Sequence, residues 1–190
     1  MHPDHDTVIA RTRQWIERMV IGLNLCPFAG QPWREDRVEI RVSEADRPEA
    51  LADALARALA DLAAADPADC ETTLLVHPNV LGDFLDYNDF LDVADELIEQ
   101  MGLAGEFQIA SFHPDYQFAD TDPDDRSNWT NRSPYPMLHL LREASVTEAT
   151  DRLDHPEAIF ERNIRTLDEL DESVWAQLFC RPGRAESDAG

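Results

Sequence analysis

The chain has 190 residues, 43% of them hydrophobic, which suits one globular domain with an ample core rather than two domains. Its net charge of −23 argues against nucleic acid and anionic membranes as partners, because such surfaces are bound through clustered cations. No apolar run approaches the ~20 residues that span a bilayer, and the first residues lack the order of a signal peptide, so we predict a cytoplasmic protein.

Hydrophobic periodicity predicts that the chain begins with an amphipathic helix ending near Gly22. Strict alternation at residues 37–42 then predicts an edge-like strand, with one face apolar and the other charged. A second amphipathic helix is predicted from Pro48 to Ala65, and Pro67 stops it.

Two further strands flank a third helix. The apolar run at 72–76 predicts a strand buried on both faces, and a strand at 107–112 follows a helix capped by Gly102. Strands and helices that alternate in this way indicate right-handed βαβ units, so we predict an α/β fold with a small, mostly parallel sheet of about three strands. The N-terminal helix, two crossover helices and C-terminal helices would cover it in a single domain at 1–180. Residues 181–190 have nothing to bury and are predicted to be a disordered tail.

The C-terminal third is predicted to be helical. Ser133 resembles an N-cap with Pro134 at the first helical position, and the helix that they start would run to about Ala149. Two more helices are predicted, one opening at Asp154 and a short one around Val174.

The composition of the stretch from Ser111 to Glu143 is unlike that of a segment that only packs in the hydrophobic core. It leaves a strand at His113-Pro114 and crosses about 20 residues dense in Asp, Asn, Pro and aromatic side chains. Low-complexity disorder rarely carries so many aromatics, so we predict an ordered loop that binds a ligand or forms part of an active site.

Two histidines follow strands of the predicted sheet, and ligands of open α/β sheets bind beyond the carboxyl ends of the strands. If the strands are parallel neighbours, His77 and His113 lie within a side chain's reach of each other, as general acid or base and its partner. The alternative is that each imidazole caps a strand end. Cys26, in the segment LNLCPFA, is either a small buried group or a nucleophile activated by one of these histidines.

An anion site is predicted at the start of the helix expected behind Ser133. Free N–H groups and the helix dipole would favour a carboxylate or phosphate at Asn131, Arg132 and Ser133. The Arg132 guanidinium would donate two parallel hydrogen bonds to that anion. The alternative is that Arg132 pairs with an Asp of its own loop. The rim of the pocket would be formed by Asn128, Trp129, Asn131 and Tyr135, and a helical stripe of Tyr135, His139 and Arg142 would face either the pocket or solvent.

The cofactor is left open by the sequence. Cys26, His77, His113, Asp115 and His139 are acceptable ligand types for zinc or iron, but their spacing matches no local metal motif. The three cysteines are widely spaced without a CxxC pair, which indicates reduced thiols. The chain has no GxSxG, HExxH, GxxxxGK or GxGxxG, so the simplest hydrolase, protease, NTPase and dehydrogenase assignments are excluded.

The segments LNLCPFA, SFHPDYQF and NRSPYPMLHLLRE together resemble a bacterial family catalogued as domain of unknown function 1415, over nearly the whole chain. The resemblance implies no activity, cofactor or catalytic residue. The roles of Cys26, His77, His113 and Arg132 therefore depend on the physical argument alone.

Three functions remain open. The leading hypothesis is an intracellular enzyme that acts on a small anionic metabolite at the carboxyl ends of the second and third strands, through His113, His77 and Arg132. One alternative is a metal- or haem-binding module without turnover. The other is a protein-interaction domain whose exposed anchors would be Trp33, Trp129 and Tyr135.

Overall fold

The computed structural model describes residues 3–151 and 158–179, and within them the chain forms four strands and seven α-helices. The strands are β1 (Val38–Val42), β2 (Thr72–Val76), β3 (Phe107–Phe112) and β4 (Met137–Arg142). The helices are α1 (His5–Trp15), α2 (Gly30–Arg34), α3 (Pro48–Ala64), α4 (Phe84–Gln100), α5 (Glu143–Asp151), α6 (Ala158–Asp168) and α7 (Glu172–Phe179). A π-helical turn (Ile16–Ile21) continues α1. The predicted tail at 181–190 and the predicted helix start at 154 lie outside the described residues.

The strands form one mixed sheet in the order β1-β2-β4-β3. β1 and β2 are parallel, whereas β4 runs antiparallel to both of its neighbours, β2 and β3. The predicted α/β class is therefore confirmed, but the expectation of a mostly parallel sheet of three strands is wrong. β2 and β3 point in the same direction without being neighbours, because β4 lies between them.

The helix predicted from Ser133 to Ala149 is also wrong. Residues Met137–Arg142 form the central strand β4, and a helix begins only at Glu143. The segment MLHLLR is rich in good helix formers and has no β-branched residue, so its intrinsic preference is helical. Hydrogen bonding to strands on both sides overrides that preference.

Side chains of successive strand residues point to opposite sides, so the sheet has two distinct faces. We call the side with Leu75 and Leu138 the back face; it packs under α3 and α4 in a core that contains Leu51 and Phe90. The side with Leu74, Val76 and Met137 is the front face. It packs against α1, the π-helical turn and α6 in a second core, to which Val8, Trp15, Ile16 and Leu167 belong.

Candidate functional site

An open cavity of about 840 Å³ lies on the front face, between the sheet and the segment that connects the π-helical turn to β1. This volume is in the range of small-molecule sites. Trp15, Phe28, Trp33, Leu74 and Phe112 give it largely apolar walls, and α5 borders it through Ser145 and Val146.

The cavity has room above the sheet because β3 presents a small side chain there. Ala110 lies directly opposite His139 of β4, and Leu74 of β2 flanks His139 on the other side. A larger residue at 110 would fill the space beside the imidazole. His139 is thus placed at the centre of the front face, on the floor of the cavity.

His139 is held in one orientation by Thr72. Its Nε2 lies 2.8 Å from Thr72 Oγ1. That hydroxyl donates its own proton to the carbonyl of Leu140, so it accepts from the imidazole, and Nε2 carries the proton. Nδ1 is then an acceptor, for which the described residues provide no partner. Burial lowers the pKa of His139 to about 4, so the ring is neutral at neutral pH.

One wall of the cavity depends on the π-helical turn. Ile16 and Val20 of this turn line the cavity, and the amide of Cys26 donates to the carbonyl of Val20. Gly22 ends the turn, and a Cβ added there would lie 2.2 Å from the carbonyl oxygen of Arg18. Isolated π-helical turns are frequent at functional sites. Here the turn positions both the wall and the loop that carries Cys26.

Cys26 lines the same cavity as His139. Burial raises the pKa of its thiol, although the backbone amides of Phe28 and Ala29 oppose that rise. The group is therefore a thiol at neutral pH and forms part of the wall. Its activation by His77 or His113 has no support in the geometry, because those side chains lie on the back face.

His77 and His113 are fully buried against Tyr87 of α4, with ring centroids 5.8 and 5.1 Å from the tyrosine ring. Nδ1 of His77 donates to the carbonyl of Val80 at 3.0 Å. His113 accepts from the amide of Asp115 at 3.0 Å, and its Nε2 donates to the carbonyl of Leu81 at 3.1 Å. Each imidazole thus stabilises a turn that follows a strand, and the sheet separates both imidazoles from the cavity.

Acid should destabilise the protein through His77. Burial lowers its folded-state pKa to about 4 from the ordinary 6.5, so between these values the unfolded chain binds more protons. The contribution of His77 to the free energy of unfolding is therefore fully present above pH 6.5. It is lost as the pH falls towards 4, by about 3 kcal/mol. The measurement is urea unfolding at several pH values.

The matched variant for this prediction is His77→Asn, whose amide still donates to Val80 but does not titrate. Its stability should fall less steeply than that of the wild type in this pH window. Equal slopes for the two proteins would contradict the assignment of the acid sensitivity to His77.

The predicted anion site is absent as a helix start, because the residues after Ser133 enter β4. The Arg132 guanidinium donates to the carbonyls of Tyr116 and Pro123 at 3.0 and 2.7 Å and lies over the Trp129 ring. These contacts lie within its own loop, and the partners are backbone carbonyls rather than the Asp carboxylate of the alternative interpretation. Ser133 donates to the carbonyl of Tyr135.

The other predicted rim residues also stabilise the loop. Buried Asn128 accepts from the Phe118 amide and donates to the Asp122 carbonyl, and Asn131 donates to the Ser111 carbonyl. The loop contacts the cavity wall where the Trp15 indole donates to the Arg132 carbonyl at 3.0 Å. Tyr135 is buried, and Trp129 packs against Trp175.

The comparison with protein families now adds one finding. The model of a family described as "Protein of unknown function (DUF1415)" matches residues 7–177. The chain belongs to this family. Neither the curated proteins nor the solved structures gave a match. The resemblance drawn from the sequence segments is confirmed, and the family brings no activity with it.

In residues 3–151 and 158–179, no three side chains of His, Cys, Asp or Glu are grouped so that they could hold a metal ion. None of the helices in these ranges combines the length and apolar character needed to cross a bilayer.

The sequence predicted Cys26 and His139 as site residues but not the residues that orient and surround them. Thr72, Ala110 and the π-helical turn had no recognisable motif. The available signal was the alternation of Gln108 and Ala110 with the larger apolar side chains of Phe107 and Ile109 in β3, which marks a strand face that is not covered by the core.

Proposed function

We propose that the protein is an enzyme that binds a small, largely apolar molecule in the front-face cavity, with His139 as its general base. The observation that supports this most is the neutral imidazole on the cavity floor, fixed by Thr72 and with Nδ1 unpartnered among the described residues. A base that is oriented by another group inside a concave apolar site is the arrangement that proton transfer requires.

The chemistry follows from the tautomer. Because Nε2 carries the proton that Thr72 accepts, Nδ1 takes the substrate proton, and the resulting imidazolium keeps its contact with the threonine hydroxyl. A pKa of about 4 keeps His139 in its basic form at neutral pH. It also makes His139 a weak base, which restricts it to substrate protons that are already acidic.

This proposal places the site elsewhere than the sequence hypothesis did. His113 and Arg132 have hydrogen-bonding partners that account for them as structural groups, and Nδ1 of His77 is bonded to Val80, whereas the buried Nε2 of His77 has no partner among the described residues. Cys26 keeps a role as a wall residue, and its thiol reports on whether the cavity is occupied.

Filling the cavity tests the proposal. Ala110→Leu places an isobutyl group beside His139 and should abolish the binding of any cavity ligand while the fold is kept. A panel of neutral aromatic, carboxylate and phosphate compounds is screened by thermal shift against the wild type and this variant. Hits that stabilise the wild type should lose their effect in Ala110→Leu.

The control is Ala104→Leu, which adds the same group at an exposed site outside the cavity lining. It should respond to ligands as the wild type does. If every hit binds Ala110→Leu as well as it binds the wild type, the cavity is not the site and the proposal fails.

A further inference from the structure

The charges around the cavity bear on what it binds. Arg37 is one of two guanidinium groups that line the cavity within the described part of the chain. It donates to the Glu35 carboxylate at 2.6 and 2.9 Å, to the carbonyl of Pro67, and in a short contact to Glu71. Its charge is therefore compensated by two carboxylates.

Arg142 is the other cation at the cavity. Its Nη2 donates to the carbonyls of Leu62, Ala65 and Cys70 at 2.7 to 3.2 Å, and so caps the end of α3. The Nε of Arg142 has no partner, but it is buried and does not open onto the cavity. Arg37 is thus neutralised by carboxylates, and the N–H groups of Arg142 Nη2 are directed to backbone carbonyls rather than to the cavity.

The carboxylates at the cavity offer no attraction to an anion. Glu71, which is already paired with Arg37, and Glu148 line the cavity, and the whole chain carries a net charge of −23. An anionic ligand would lose its hydration in an apolar site without gaining a countercharge, which is costly. A neutral ligand does not incur this cost.

Aromatic side chains and one acceptor are what the cavity offers instead. Phe112 lies against His139 with a ring-centroid distance of 6.1 Å, and Trp15 meets Phe112 edge-on at 5.3 Å. Trp33 and Phe28 also line the cavity. Flat rings pack well against such walls. Nδ1 of His139, which has no partner in the described chain, can accept a hydrogen bond from a ligand.

We infer that the ligand of this cavity is a neutral aromatic or heteroaromatic molecule that donates one N–H or O–H hydrogen bond to Nδ1 of His139. The inference rests on the proposed function, since it assumes that the cavity is the site. It replaces the anionic metabolite of the sequence hypothesis with a class that the charges and walls favour.

Three related probes test the inference by calorimetric titration: indole, which has the donor, benzothiophene, which has the same shape without it, and an indole carboxylate, which adds a negative charge. Indole should bind, benzothiophene about tenfold more weakly because the imidazole acceptor is left unpaired, and the carboxylate most weakly of all. In His139→Gln, indole and benzothiophene should bind about equally. Ala110→Leu should bind none of them.

The outcomes separate this inference from the proposed function. If benzothiophene equals indole in the wild type, or the carboxylate binds more tightly than indole, the inference is overturned, while sensitivity to Ala110→Leu would still support the cavity as the site. If none of the three probes binds, the inference is overturned as well. The wider compound panel then decides separately whether the cavity binds anything.

Discussion

Replacing Gly22 by alanine is expected to destabilise the protein by about 2–3 kcal/mol, because the added methyl group cannot be accommodated against the backbone. The Cβ would lie 2.2 Å from the carbonyl oxygen of Arg18 and 3.0 Å from that of Glu17. Both contacts are with backbone, so no side-chain rotation relieves them. The π-helical turn must open or revert to α-helical pairing.

The same substitution should also perturb the wall of the cavity. Val20 and Ile16 belong to the turn and to the cavity wall, and the loop with Cys26 is bonded to the Val20 carbonyl. We therefore expect Gly22→Ala to make the Cys26 thiol more reactive towards iodoacetamide, in a protein whose Cys70 and Cys180 are replaced by serine. Urea unfolding and alkylation rates are the two measurements.

Gly82→Ala is the matched control, because a Cβ at Gly82 meets nothing within 4 Å. It should leave both stability and alkylation close to the wild type. Equal effects of the two alanine substitutions would mean that the π-helical turn has no special role in the cavity wall.

Replacing His139 by glutamine is expected to lower proton-transfer activity in the cavity about a hundredfold. The glutamine amide can still donate to Thr72 from the place of Nε2, so the fold keeps that contact while the base at Nδ1 is lost. The probe is nitrobenzisoxazole, a neutral aromatic compound with an acidic C–H. Loss of that proton to a base breaks its ring N–O bond and releases a coloured cyanophenolate.

The pH profile gives a second readout. The rate with the wild type should fall only as the pH approaches about 4, where Nδ1 of His139 takes up a proton. His113→Gln provides the comparison, because the sequence hypothesis assigned the base to His113 whereas the geometry makes it a structural group. Loss of the reaction in folded His113→Gln, with retention in His139→Gln, would contradict the assignment.

Local patterns predicted most of the fold correctly. β2 and β3 have the predicted bounds, and α3 and α4 follow their apolar stripes. β1 is an edge strand, as its alternating charges indicated. These elements were predictable because burial and periodicity agree in them.

β4 was not predictable in this way. A central strand is apolar on both faces, so MLHLLR lacks the alternation that identifies a strand, and the preceding Ser133-Pro134 resembles a helix start. Without β4, the sequence pattern makes β2 and β3 neighbours and predicts His77 and His113 as a catalytic pair. Both imidazoles do contact Tyr87, but on the back face.

The candidate site was predictable only in part. His139 was named as a member of a helical stripe, whereas it lies on a strand between Leu74 and Ala110. Its partner Thr72 is 67 residues away in sequence, and such a pairing is set by the order of the strands. No local motif encodes that order.

The most direct test is a long-range proton–nitrogen NMR spectrum of protein labelled at its histidines, recorded with and without indole. It reports the tautomer and the hydrogen bonding of each imidazole separately. We predict that free His139 has its proton on Nε2 and that indole shifts the Nδ1 signal of His139 while those of His77 and His113 stay in place. A shift at His77 or His113, with none at His139, would contradict the assignment of the site to the front-face cavity.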